Sequence, residues 1–124
     1  MNRKTAFAIL LGVLVVAGAW ALLHSRWFGD LYAEYVLDNR YHHVPCQELP
    51  SEEEIRRVLQ EHQDVLQQIE ALGQPGVVGY EIVPCAPGHA SLTFWYASHE
   101  QRVKIEEIIG GDTFFGVPYD LQNR

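Results

Sequence analysis

The sequence predicts an α+β protein: a transmembrane helix followed by a small two-layer domain outside the cytoplasm. Three observations carry that prediction. Thr5 to Leu23 is an uncharged, almost wholly apolar run. Beyond it, two helical stretches, each opened by a serine cap, enclose two segments of apolar–polar alternation. The two cysteines, Cys46 and Cys85, both lie after the apolar run.

The apolar run defines the first segment, residues 1–23. At about 1.5 Å per residue its helix spans roughly 28 Å, close to the hydrocarbon thickness of a bilayer. Arg3 and Lys4 precede it, so the positive-inside bias places the N-terminus in the cytoplasm and the rest of the chain outside, periplasmic or extracellular. A cleaved secretory signal is the competing reading, because Ala17-Gly18-Ala19 fits a small-x-small cleavage site. The run continues past that site through Trp20, Ala21, Leu22 and Leu23, which favours a retained single-pass anchor. It is too poor in charge to lie on the membrane surface as an amphipathic helix.

Residues 24–41 form a juxtamembrane connector. Trp27, Leu31 and Tyr35, with Phe28, Tyr32 and Val36 beside them, recur at helical spacing, while Asp30, Glu34 and Asp38 fall largely elsewhere on the wheel. Trp20 and Trp27 sit where an outer interfacial aromatic belt falls. The strip Trp20, Trp27, Leu31 and Tyr35 serves either to settle the anchor at the lipid headgroups or to pack on neighbouring transmembrane helices.

The exported domain occupies residues 42–124. His42 to Pro50 is extended, since Pro45 and Pro50 disfavour helix in the residue before each, and it supplies a short strand near His43 to Cys46. Ser51 and Glu54 form a capping box for a helix whose apolar stripe is Ile55, Val58, Leu59, Val65, Leu66, Ile69 and Leu72, ended by Gly73 and Pro75. Val78, Tyr80 and Ile82 mark one half-buried strand, and Leu92, Phe94 and Tyr96 a second. Pro84 to His89 joins them as a hairpin turn. Ser98 and Gln101 cap a second helix with Ile105, Ile108 and Ile109 inside, stopped by Gly110-Gly111. A last strand, Thr113 to Val117, precedes a polar tail. The resulting order is β-α-β-β-α-β, or α-β-β-α-β without the first strand, which is the ferredoxin-like plan of an antiparallel sheet with both helices on one face.

Composition narrows the partners. All sixteen acidic residues follow the apolar run, against seven Lys or Arg, so the exported part carries about nine net negative charges. Such a surface is a poor partner for nucleic acid or anionic lipid. Two cysteines in an oxidising compartment read as one disulfide, Cys46–Cys85, and neither lies in a Cys-x-x-Cys redox pair. The ferredoxin-like plan brings both to one end of the domain.

Catalytic patterns are harder to find. Six histidines lie in the exported part, and His42, His43 and His89 are close in sequence to Cys46 or Cys85. They are the candidates for a metal, although adjacent His42 and His43 point to opposite faces of an extended strand. His62 falls on the apolar stripe and reads as a core-edge histidine. Ser51 and Ser98 have capping duties, Ser91 has no local base motif, and no glycine-rich phosphate loop is present. Trp95 faces away from Leu92, Phe94 and Tyr96, which puts it on the uncovered face of the sheet as an interface candidate. No catalytic residue, metal ligand or cofactor is therefore assigned. The expected function is that of a non-enzymatic accessory or scaffold subunit of a larger membrane complex, contacting integral membrane subunits through its helix and its exported domain. A small-ligand or metal-sensing module is the alternative.

Overall fold

The computed structural model describes residues 2–124. The chain divides into two units, one ending at Leu37 and one running from Asp38 to Arg124.

The first unit holds two helices. α1, Arg3–Leu23, is long and apolar enough to cross a membrane and buries none of its residues within the protein. The chain leaves the helix at His24 and is extended at Ser25 (φ −78°, ψ 141°), which ends α1 before α2, Arg26–Tyr35, begins. Ser25 Oγ accepts the Phe28 N–H at 3.2 Å and so caps α2.

The second unit contains α3 (Glu52–Glu61), α4 (Gln63–Glu70), β1 (Gly79–Ala86), β2 (His89–Tyr96), α5 (His99–Ile109), β3 (Thr113–Phe114) and β4 (Val117–Asn123). It is an α+β domain, with two short helices where the sequence predicts one and a two-stranded hairpin where it predicts a single last strand. Its sheet runs β1-β2-β4-β3, with β1/β2 and β3/β4 antiparallel and β2/β4 parallel. α5 supplies the crossover that a parallel pair requires. Ala90, Leu92, Phe94 and Tyr96 of β2 and Val117, Tyr119 and Leu121 of β4 alternate onto one buried face. There they meet Ile55, Leu59, Leu66, Ile69 and Ile105 from the helices. The opposite face carries Ser91, Thr93 and Trp95 with Asp120 and Gln122, and it is not uncovered as expected: Thr93 is only 2% exposed, and His42 bonds Ser91 and Asp120 across it.

Four expectations need correction. The strand near His43 to Cys46 does not form; Pro45 leads instead into a 3-10 turn at Cys46–Glu48. The ferredoxin-like plan puts that strand between residues 89–96 and the last strand, but here β4 lies directly beside β2. Second, the helix begun at Ser51 is broken at His62 (φ −122°, ψ 37°). The Gln63 side-chain amide donates to the Leu59 carbonyl at 3.0 Å, next to the break, where the regular backbone ladder is interrupted. Ile55 and Leu59 of α3 and Leu66 and Ile69 of α4 are all still buried in the core. Third, Thr113 to Val117 is a hairpin rather than one strand. Phe115 and Gly116 both have positive φ (49° and 91°), the signature of a type I′ turn, and β4 continues through the stretch expected to be a polar tail. Fourth, residues 38–41, read as connector, belong to the domain: Arg40 and Leu121 exchange both backbone bonds, at 2.9 and 2.8 Å.

The cysteines meet as expected. Cys46 in the 3-10 turn and Cys85 in β1, where the register slips between Pro84 and Ala86, form a disulfide with Cα atoms 6.0 Å apart. The loop closed spans 39 positions. Its removal from the unfolded ensemble is worth about 4 kcal/mol in the chain-entropy account. Replacing both cysteines by serine is expected to lower the thermal midpoint of the domain by more than about 10 °C. Thermal unfolding of the full chain in mild detergent measures this. A fall of under about 3 °C would contradict that account and mean that the unfolded chain already keeps the two cysteines close.

Candidate functional site

The segment Asp38 to Pro50 binds the sheet in sequence order. Asn39 Oδ1 accepts the Asn123 N–H at 2.7 Å, and Arg40 pairs with Leu121 on the edge of β4 turned away from β2. The His42 N–H donates to Asp120 Oδ1 at 2.9 Å, and its ring reaches Ser91 on β2. Cys46 is bonded to β1. Leu49 and Pro50 then offer their carbonyls to the His89 ring, at 2.7 Å, and to the Ala90 N–H, at 3.1 Å. The segment is a strap running from β4 over β2 to β1.

At its start lies a polar cluster built around one buried residue. Arg102, on the inner side of α5, is only 5% exposed. Its guanidinium donates to Asp38 Oδ1 at 2.8 Å and approaches Glu106 at 3.6 Å. Asp38 Oδ1 also accepts from His99 Nδ1 at 2.8 Å, while Asp38 Oδ2 is buried without a hydrogen-bond partner. Asp38 holds a left-handed backbone (φ 55°), which aspartate tolerates better than most residues, and its carbonyl accepts the Tyr96 hydroxyl. Arg40 extends the cluster: it bonds Glu106 at 3.0 Å and the Tyr119 hydroxyl at 3.3 Å, and Tyr119 in turn donates to the Gly111 carbonyl at 2.9 Å.

The electrostatics follow from burial and partners. Burial opposes ionisation of Asp38, but the bonds from His99 and Arg102 outweigh it and hold the carboxyl below its ordinary value. Burial likewise opposes the charge on Arg102, and Asp38 and Glu106 more than restore it. The Tyr96 and Tyr119 hydroxyls are pushed up, chiefly by burial.

His42, Ser91 and Asp120 bring a hydroxyl, an imidazole and a carboxylate together, a juxtaposition that reading Ser91 on its strand alone misses. His42 Nε2 lies 2.9 Å from Ser91 Oγ and 3.7 Å from Asp120 Oδ1. Activation of a serine needs a carboxylate on Nδ1–H, leaving Nε2 free to take the hydroxyl proton. Here Nδ1 accepts the Val44 N–H at 2.9 Å. The neutral ring therefore carries its proton on Nε2 and donates it to Ser91, so the arrangement clamps the strap and does not activate the hydroxyl.

The interface candidates are placed as follows. Trp95 lies on the sheet face opposite the helices, half-buried, with its ring across Gly79. A Cβ at position 79 would stand 2.4 Å from the indole Cζ2, so this close approach requires glycine. The Arg124 guanidinium sits 5.2 Å above the ring, paired with Glu81 and 3.1 Å from Gln122 Oε1. Trp20, Trp27 and Tyr35 are exposed on the first unit, Leu31 is partly covered, and Trp20 stacks on His24. His62, expected at the edge of the core, is half-buried and stacks on Phe115 at 3.4 Å between ring centroids. Among the described residues, no group of three or more His, Cys, Asp or Glu is placed to hold a metal ion, and both cysteine sulfurs are in the bridge.

Comparison with family models, curated proteins and solved structures finds no match to this chain.

Because the Asp38 pKa is depressed on folding, its contribution to stability is present above the unfolded carboxyl value and disappears as pH falls through the folded one. Asp38→Asn keeps a residue that tolerates positive φ and removes the charge. It is expected to cost about 2–3 kcal/mol at pH 7, with the gap to the parent chain closing below about pH 4. Denaturant unfolding at a series of pH values checks this, and an equal gap at every pH would remove the carboxylate from the account.

Proposed function

We propose that this chain is a single-pass accessory subunit of a larger membrane complex. α1 holds it in the bilayer with the N-terminus in the cytoplasm. The disulfide-bridged domain lies on the opposite, oxidising side and docks on integral membrane subunits. The observation that carries the reading is the immobilised aromatic on the outer sheet face. Trp95 is seated on Gly79 beneath Arg124, so its ring is already ordered before any partner arrives. An ordered tryptophan beside an arginine has the chemistry of an interface anchor, since little side-chain entropy remains to be lost on binding.

The disulfide supports an exported domain, because such bridges persist in oxidising compartments. Arg3 and Lys4 support the orientation. A surface with an excess of acid points to a protein partner with basic or neutral contact residues, and away from nucleic acid.

Affinity purification of the full chain from native membranes in mild detergent is expected to recover larger membrane proteins in fixed ratio. Trp95→Ala is expected to reduce that recovery at least tenfold, about 1.4 kcal/mol or more of binding, while costing the domain only about 1–2 kcal/mol of stability. Recovery unchanged by the substitution would exclude this face as the docking surface. A stability loss of about 3–5 kcal/mol would make Trp95 a core residue.

A further inference from the structure

The geometry points to a second membrane contact: we infer that the aromatic face of α2 lies in the headgroup layer of the outer leaflet, with lipid and not a protein helix as its occupant. The inference rests on the anchor reading of α1.

α2 is amphipathic, with Glu34 standing at the margin of its aromatic face about 20° from Trp27. At about 100° per residue, Trp27, Leu31, Tyr35, Phe28 and Tyr32 fall within an arc of roughly 140°, and Arg26, Asp30 and Glu34 lie outside it. Trp27, Phe28, Tyr32 and Tyr35 are exposed. Four aromatic rings and one leucine suit the membrane interface, where a flat apolar body is buried and a hydroxyl or indole N–H stays hydrated.

Chain length then identifies what lies against that face. α1 ends at Leu23 and α2 begins at Arg26, three residue steps later, a reach of at most about 10 Å. The headgroup layer is itself roughly 5–8 Å deep on each side of the hydrocarbon. An α1 that crosses the bilayer therefore delivers the start of α2 into that layer. The extended backbone at Ser25 breaks the helix there, and its hydroxyl starts a new one. Charge narrows the lipid. α2 has one arginine against two carboxylates, so it lacks the basic face that selects anionic lipid and suits a zwitterionic surface.

The test uses the full chain reconstituted alone into phosphatidylcholine vesicles. One variant, Trp20→Phe with Trp95→Phe, leaves Trp27 as the reporter. A second, Trp27→Phe with Trp95→Phe, leaves Trp20. Lipids brominated near the headgroup end of the acyl chain are expected to quench Trp27 several-fold more than aqueous iodide does, with blue-shifted emission. Trp27 quenched freely by iodide while Trp20 is quenched by bromolipid would overturn the inference and leave the anchor standing, the face then being reserved for a protein partner. Failure of bromolipid to quench Trp20 would overturn the anchor reading and the inference with it.

Discussion

The domain is organised around a buried arginine that must be neutralised. Arg102 occupies a position on α5 that faces the interior, where an unpaired guanidinium is strongly unfavourable. Asp38 supplies the opposite charge from 64 residues upstream. To do so, the first residue of the domain adopts a left-handed backbone and turns its carbonyl to the Tyr96 hydroxyl at the end of β2. One residue thus ties α5, the central strand and the start of the strap. Asn39, Arg40 and His42 then follow along β4 in register. The parallel β2/β4 pair has its crossover helix fixed by the same contact.

Much of this architecture was legible, and the parts that were not have identifiable causes. The serine caps at Ser51 and Ser98 and the alternation of Leu92, Phe94 and Tyr96 are governed by local pattern and can be read directly; the Cys46–Cys85 pairing follows from the cysteine count, since the strand expected to carry Cys46 to that end of the domain does not form. β4 is hard to see in the sequence because Pro118, Asp120 and Gln122 resemble a polar tail. Its signal was the alternation of Val117, Tyr119 and Leu121, which continues across the proline. The type I′ turn has no sequence signature because phenylalanine is unfavourable at positive φ; at Phe115 tertiary stacking on His62 accompanies it. The break at His62 was hidden because the apolar stripe stays in phase on both sides. Arg102 and Asp38 were invisible for a different reason. Each looks like an ordinary solvated charge, and only the fold brings them together.

The same contrast applies to the candidate site. Trp95 could be placed on the outer face from strand parity alone, but its seat on Gly79 and the cover from Arg124 depend on register and on the course of the C-terminus. In the sequence His42 is a metal candidate and Ser91 a serine without a base, with nothing to connect them. The strap brings them into contact, and the acceptor role of His42 Nδ1 makes that contact structural. In the reading proposed here, the polar chemistry of the domain serves to hold the strap to the sheet, leaving the aromatic surfaces to make outside contacts.

The central claim is that Asp38 and Arg102 stabilise the domain as a coupled pair. A double-mutant cycle with Asp38→Asn, Arg102→Gln and the combined variant, followed by denaturant unfolding of the full chain at pH 7, tests it most directly. The account predicts a coupling energy of about 2 kcal/mol, with the second substitution costing far less once the first is made. Losses that add within about 0.5 kcal/mol would show two independent charges and contradict the account.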